Sequence, residues 1–180
     1  MNTQQMVFLT TNQQQEDALS DSQLRTKNKI RATERVEVST GNHHPGRRNP
    51  RVGCAGIVRR GEAILLGKRD KEPGRGLWVL PGGGVEFGET FVETLQRELL
   101  EETGIEIDVE GVFNVCELIN PPTEHRVIVY LNARYRSGQP AASSDLSDAR
   151  FFDIDELKQM STSKMISPFV ESVLRKAEVL

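Results

Sequence analysis

The chain has 180 residues, 37% of them hydrophobic and 27% charged, with a formal net charge of -3. That length suits one domain of common size plus a tail. The mild acidity argues against a nucleic-acid partner, which calls for a basic excess on one face. No apolar run reaches the roughly 18 residues of a membrane span. The N-terminal MVFL is too short, and lacks the preceding basic residues, for a secretory signal. The matching expectations are no membrane, no nucleic acid and a cytoplasmic location.

The first fifty residues hold six glutamines and one aromatic residue, Phe8, among polar clusters such as TTNQQQ and STGNHHPGRRNP. Seven Lys/Arg against five Asp/Glu make this stretch about +2 and leave the remainder at -5. So little apolar surface does not offset the entropy lost on ordering. Residues 1–48 are therefore expected to be a polar, disordered tail, and 49–180 the folded domain. The pattern over 17–35 allows a short helix with nothing to pack on. His43 and His44 read as part of a solvated linker rather than a metal site.

Order is expected from about Arg51. VGCAGIV (52–58) and AILLGKR (63–69), separated by Arg59-Arg60-Gly61-Glu62, predict a hairpin. LWVL (77–80) is a short strand that runs into Pro81-Gly82-Gly83-Gly84. Longer strands are expected over 109–119 and 125–135, flanking a Pro121-Pro122 turn, and a short one over RFFDI (150–154). Asp155 is expected to cap a helix to about Met160. Ser167-Pro168 should start a last helix, with proline at its first position. Cys54 and Cys116 fit no metal spacing and read as reduced, half-buried thiols. A mixed sheet with a few well-separated helices is an α+β chain, or α/β with the sheet sandwiched between helices.

One helix stands apart. Thr90 and Glu93 form a capping box, and Gly104 sits where a left-handed residue ends a helix, so it should span 91–103. At ~100° per residue, Val92, Leu95 and Leu99 make its buried stripe, and Glu98, Glu101 and Glu102 fall beside that stripe rather than opposite it. Three carboxylates within five positions repel one another, with Arg97 alone beside them. A solvated acidic edge would account for them. The preceding Gly82-Gly83-Gly84 favours another account, because it lets backbone approach a ligand closely. Carboxylates behind such a loop suit a hard divalent cation.

The stretch GGVEFGETFVETLQRELLEETGI (83–105) resembles the Nudix box at every fixed position: Gly83, Glu89, Arg97, Glu98, Leu99, Glu101, Glu102, Gly104 and Ile105. LLGKR (65–69) and LPGG (80–83) are similar to the MutT-type members of that family. The resemblance covers about 51–180. It implies an α/β/α sandwich with a mixed sheet, in which the box is a loop-helix-loop. It also implies metal-dependent hydrolysis of a nucleoside diphosphate linked to a further group X. Glu98, Glu101 and Glu102, with the Gly83 carbonyl, are then the expected ligands of Mg²⁺ or Mn²⁺. Arg97 is expected to orient the carboxylates, and Glu89 to pair with Arg97 or reach the metal through water. The base is the residue matching Glu98 in some relatives and a later loop acid in others.

Outside the box, Glu124, Asp145 and Asp148 are candidate loop acids. Arg69, with Lys68 as its alternative, is a candidate phosphate contact, and Trp78 and Phe87 are candidate stacking residues. The resemblance to MutT-type members favours a nucleoside triphosphate as substrate. Pro121, 16 residues past the box, keeps ADP-ribose or a nucleotide sugar as the alternative. A non-catalytic nucleotide-binding module is the third reading, although every box carboxylate is retained. Family members often dimerise, which leaves a homodimer open.

Overall fold

The computed structural model describes residues 5–9, 49–120 and 124–180. Within the segment read as a polar tail, Gln5–Leu9 form a strand, β1, which contains the MVFL run. The short helix that the pattern allows over 17–35, His43-His44 and the Pro121-Pro122 turn lie outside the described residues. The expected hairpin is present as β2 (Arg51–Arg60) and β3 (Ala63–Arg69), joined by a turn in which Gly61 is left-handed. β4 (Trp78–Val79) follows, then the helix α1 (Phe91–Thr103). β5 (Glu106–Asn120) and β6 (Glu124–Ser137) are longer than their apolar runs, because charged residues continue each strand at its exposed end. β7 (Leu146–Phe152) starts earlier than expected, and α2 (Ile154–Thr162) and α3 (Pro168–Lys176) close the chain.

Two local expectations are corrected. The cap of α2 is Asp153, not Asp155: its carboxylate accepts from the Glu156 N–H, and Glu156 returns the bond to the Asp153 N–H. An Asp-Ile-Asp-Glu sequence offers two acids as caps, and only the first has glutamate three positions on. Val92 is not part of the buried stripe of α1. It is 42% exposed, and the helix buries Thr94, Leu95, Leu99, Glu102 and Thr103 instead. The helix is therefore rotated so that Glu102 turns inward.

The strands make one mixed sheet in the order β1-β5-β6-β2-β3-β4, with β7 on the other edge of β3. β2 runs parallel to β6 and antiparallel to β3. β2 pairs with β3 only through Arg59 and Arg60, so the two splay apart beyond the hairpin. The chain after β4 occupies the edge of β2 left free: Gly56 and Cys54 donate to the carbonyls of Pro81 and Gly83, and Val85 donates to that of Val52. This splay brings the glycine loop onto the sheet.

α1 covers one face over a core that includes Val58, Leu65, Leu95, Leu99 and Ile105. α2 and α3 cover the other over Ile57, Leu66, Trp78, Phe152 and Leu174. Leu95 and Leu99 are fully buried, each contributing roughly 1.5–3 kcal/mol relative to exposure. They fix α1, and with it the acidic residues. The result is the helix–sheet–helix sandwich expected from the sequence.

Candidate active site

The capping box of α1 is complete: the Thr90 hydroxyl accepts from the Glu93 N–H, and Glu93 accepts from the Thr90 N–H at 2.8 Å. At the other end Gly104 adopts φ 67° and donates to the Leu100 carbonyl. Between these stops the acidic residues differ in environment. Glu101 is exposed, Glu98 retains 15% of its side-chain surface, and Glu102 is buried.

Arg97 is the hub. Its Nε and Nη2 donate to both oxygens of Glu89, at 2.7 and 2.9 Å. Nη1 donates to Glu98 Oε1 at 2.8 Å, Nη2 also reaches the Gly84 carbonyl at 3.2 Å, and Glu101 stands 3.5 Å away. The Glu89 carboxyl is thereby held at about 2, chiefly by its bonds to Arg97. The expected Arg97–Glu89 pair is present, and Arg97 also binds Glu98 more closely than Glu101.

Glu102 has no ion-pair partner among the described residues. Its Oε2 accepts the Gly82 N–H at 3.1 Å. Burial pushes its carboxyl up to about 7 despite that bond, and the Glu98 charge pushes the same way. Gly83 lies against Glu98: a Cβ there would fall inside the Glu98 carboxylate, so any larger residue would displace that side chain. The Gly83 carbonyl accepts the Cys54 N–H at 2.9 Å and keeps its second lone pair. The Cys54 thiol is pushed up to about 12 by burial and the Glu98 charge, and both cysteines are free and buried.

Among the described residues, no three His, Cys, Asp or Glu side chains converge as a ready-made cation cage. Glu98 is turned to Arg97 and Glu102 to Gly82. The donor set still fits a hard divalent cation: only oxygens, two of them from carboxylates one helical turn apart, with a buried acid in need of positive charge.

The glycine loop and Glu102 border a cleft of about 740 Å³. Arg69 lines it, and its Nε donates to the Pro73 carbonyl. Glu124 lines it too, with 11% side-chain exposure. The two aromatic candidates do not. Trp78 is core, edge-on to Phe152 at 4.6 Å, because its strand places it under α2 and α3. Phe87 is fully exposed, since its loop turns it outward. Asp145 is ion-paired with Lys71, Asp148 sits on an exposed position of β7, and His125 lies 3.6 Å from Glu117. Sequence reasoning missed Arg51, Arg126 and Phe169, which also line the cleft. For Arg126 a signal existed in its alternation with Ile128 and Tyr130 along β6. Arg51 and Phe169 had none.

Residues 47–173 match the NUDIX domain. The chain belongs to the Nudix hydrolase family. It is 34% identical over 114 residues to a protein named ADP-ribose pyrophosphatase from Methanocaldococcus jannaschii, covering 63% of this chain and 68% of that relative. It is 37% identical over 119 residues to the NAD-capped RNA hydrolase NudC of Haemophilus influenzae. That match covers 63% of this chain but only 44% of the longer relative. A MutT Nudix hydrolase structure from Burkholderia pseudomallei superposes with a TM-score of 0.62 at 30% identity, covering 71% of this chain and 98% of that one. Among the described residues, no helix of this Nudix chain is long and apolar enough to cross a membrane.

Proposed function

We propose that this Nudix chain is a Mg²⁺- or Mn²⁺-dependent pyrophosphohydrolase that cleaves the phosphoanhydride of a nucleoside diphosphate linked to X. The observation that carries the reading is Glu102: a buried carboxylate that makes no ion pair among the described residues, feels the Glu98 charge, and lines a cleft bordered by the glycine loop and Arg69. Glu98, Glu101, Glu102 and the Gly83 carbonyl would hold the ions. When bound, divalent ions neutralise anhydride oxygens and acidify a water for attack at phosphorus. Arg97 and Glu89 keep Glu98 positioned, Arg69 faces the phosphates, and the glycine loop admits them without side chains in the way. The two free, buried cysteines support a reducing compartment, in keeping with a cytoplasmic location.

The preferred substrate is a nucleoside triphosphate, supported by the likeness to the MutT structure. The second reading, ADP-ribose, is supported by the Methanocaldococcus relative. Incubation with Mg²⁺ and a panel of triphosphates, ADP-ribose and nucleotide sugars, with products resolved by ³¹P NMR, separates them. A nucleoside monophosphate and pyrophosphate are expected from a triphosphate. AMP and ribose 5-phosphate would favour the second reading, and no cleavage of any compound would overturn both.

A further inference from the structure

The cleft has an end that the hydrolytic residues leave unused. Its floor is the sheet face where β2 lies beside β6. Parallel register sets Arg51 next to Arg126, Gly53 next to Ile128 and Ala55 next to Tyr130, and alternation puts all six on one face. Gly53 and Ala55 contribute almost no side chain, so the floor beside Ile128 is low, with the Gly83 carbonyl at its edge: a Cβ on Gly53 would stand 2.9 Å from that oxygen.

At Ala55 this floor meets the acidic end. A Cβ on Gly82, whose N–H holds Glu102, would come within 2.7 Å of the Ala55 Cα. Four residues along β2, about 13 Å at ~3.3 Å per residue, the floor ends at Arg51, Arg126 and Glu124. Both guanidiniums approach the same oxygen: Arg126 Nε is 2.5 Å and Arg51 Nη2 3.8 Å from Glu124 Oε1. No hydrogen bond among the described residues engages Oε2, and the side chain lines the cleft.

An ionised carboxylate only accepts, and a guanidinium only donates. Set side by side at the end of a floor without bulky side chains, they complement a planar ring with an N–H donor beside an acceptor, which is the edge of a nucleobase. The span from Gly82 is comparable with the reach of an extended nucleoside 5′-monophosphate. Both readings of the reaction release such a monophosphate. A bare anion would suit the arginines and be repelled by Glu124.

We propose that Glu124 selects the base: its Oε2 accepts the amino N–H of a purine resting on Gly53, Ala55 and Ile128, while Arg126 donates to the neighbouring ring nitrogen. This rests on the nucleotide reading above, but binding tests it without turnover. The probes are AMP and 1,N6-etheno-AMP, which share the phosphate and ribose but differ in that the second has neither the amino donor nor the free ring acceptor. Calorimetry should show the wild type preferring AMP by about tenfold or more, as for hydrogen bonds to a charged group. Glu124→Ala should lose that preference and still bind etheno-AMP as the wild type does. If the alanine variant loses both ligands, Glu124→Met, which keeps the length without a matching acceptor, is read in its place. A preference that survives the substitution, or a wild type that fails to bind AMP, overturns the assignment. A wild type that prefers AMP but hydrolyses nothing in the panel would overturn the reaction and leave the base assignment standing.

Discussion

Glu102→Gln is expected to reduce turnover by about a hundredfold or more, because even partners that merely orient metal ligands are worth about 10–100-fold. The same substitution should leave the metal-free fold intact or strengthen it. Glutamine keeps the volume, and its carbonyl can still accept the Gly82 N–H. Burial raises the Glu102 carboxyl from an ordinary 4.5 to about 7. A group raised on folding contributes stability below its unfolded value and loses it as the pH rises through the folded one. Above pH 7 the wild type therefore carries a buried charge worth about 1–3 kcal/mol that the variant lacks. Thermal melts in chelator should show the variant at or above the wild type at pH 8, with the gap closing near pH 5. Added Mg²⁺ should raise the wild-type Tm at pH 8 by binding the folded state and raise that of the variant less. A Glu102→Gln enzyme with wild-type turnover would refute this role.

Arg97→Lys is expected to cost about 10–100-fold in turnover, the usual effect of losing a group that orients ligands, and to lower the Tm. The charge is kept, but the fork that serves both Glu89 oxygens, Glu98 and Gly84 at once is lost. Arg97→Ala should be worse, since three partners then face one another without the cation. The acid limb supplies a readout that simple packing loss would not. Glu89 sits at about 2 in the fold against an ordinary 4.5. A depressed group contributes stability above its unfolded value and loses it as the pH falls towards the folded one. The wild-type advantage in Tm over Arg97→Ala should therefore narrow between about pH 4.5 and 2. An advantage constant across that range would assign Arg97 a packing role alone.

The capped helix was legible because its signals are local. Thr90, Glu93 and Gly104 act within a turn of themselves, and the box motif fixes spacing rather than tertiary contacts. The hairpin was legible for the same reason, with branched apolar runs set about a turn. The inward turn of Glu102 was not, because the rotation of α1 depends on where Leu95 and Leu99 meet the sheet, and Val92 scores as apolar whether or not it finds a partner. Trp78 and Phe87 show the same limit from both sides. Each flanks the glycine loop in sequence, yet β4 carries one under two helices and a loop leaves the other in water. The far end of the cleft needed the parallel pairing of β2 with β6, which places Arg51 beside Arg126 across 75 residues of chain. Sequence spacing holds no trace of such a contact.

The most direct test of the account is Mn²⁺ binding followed by electron paramagnetic resonance, with wild type compared against Glu98→Gln/Glu102→Gln. The wild type should quench the free-ion signal at about neutral pH, and the double variant should leave it free while melting cooperatively. Equal quenching by both proteins would show that the ions are held elsewhere, and would contradict the placement of the hydrolytic centre on this face of α1.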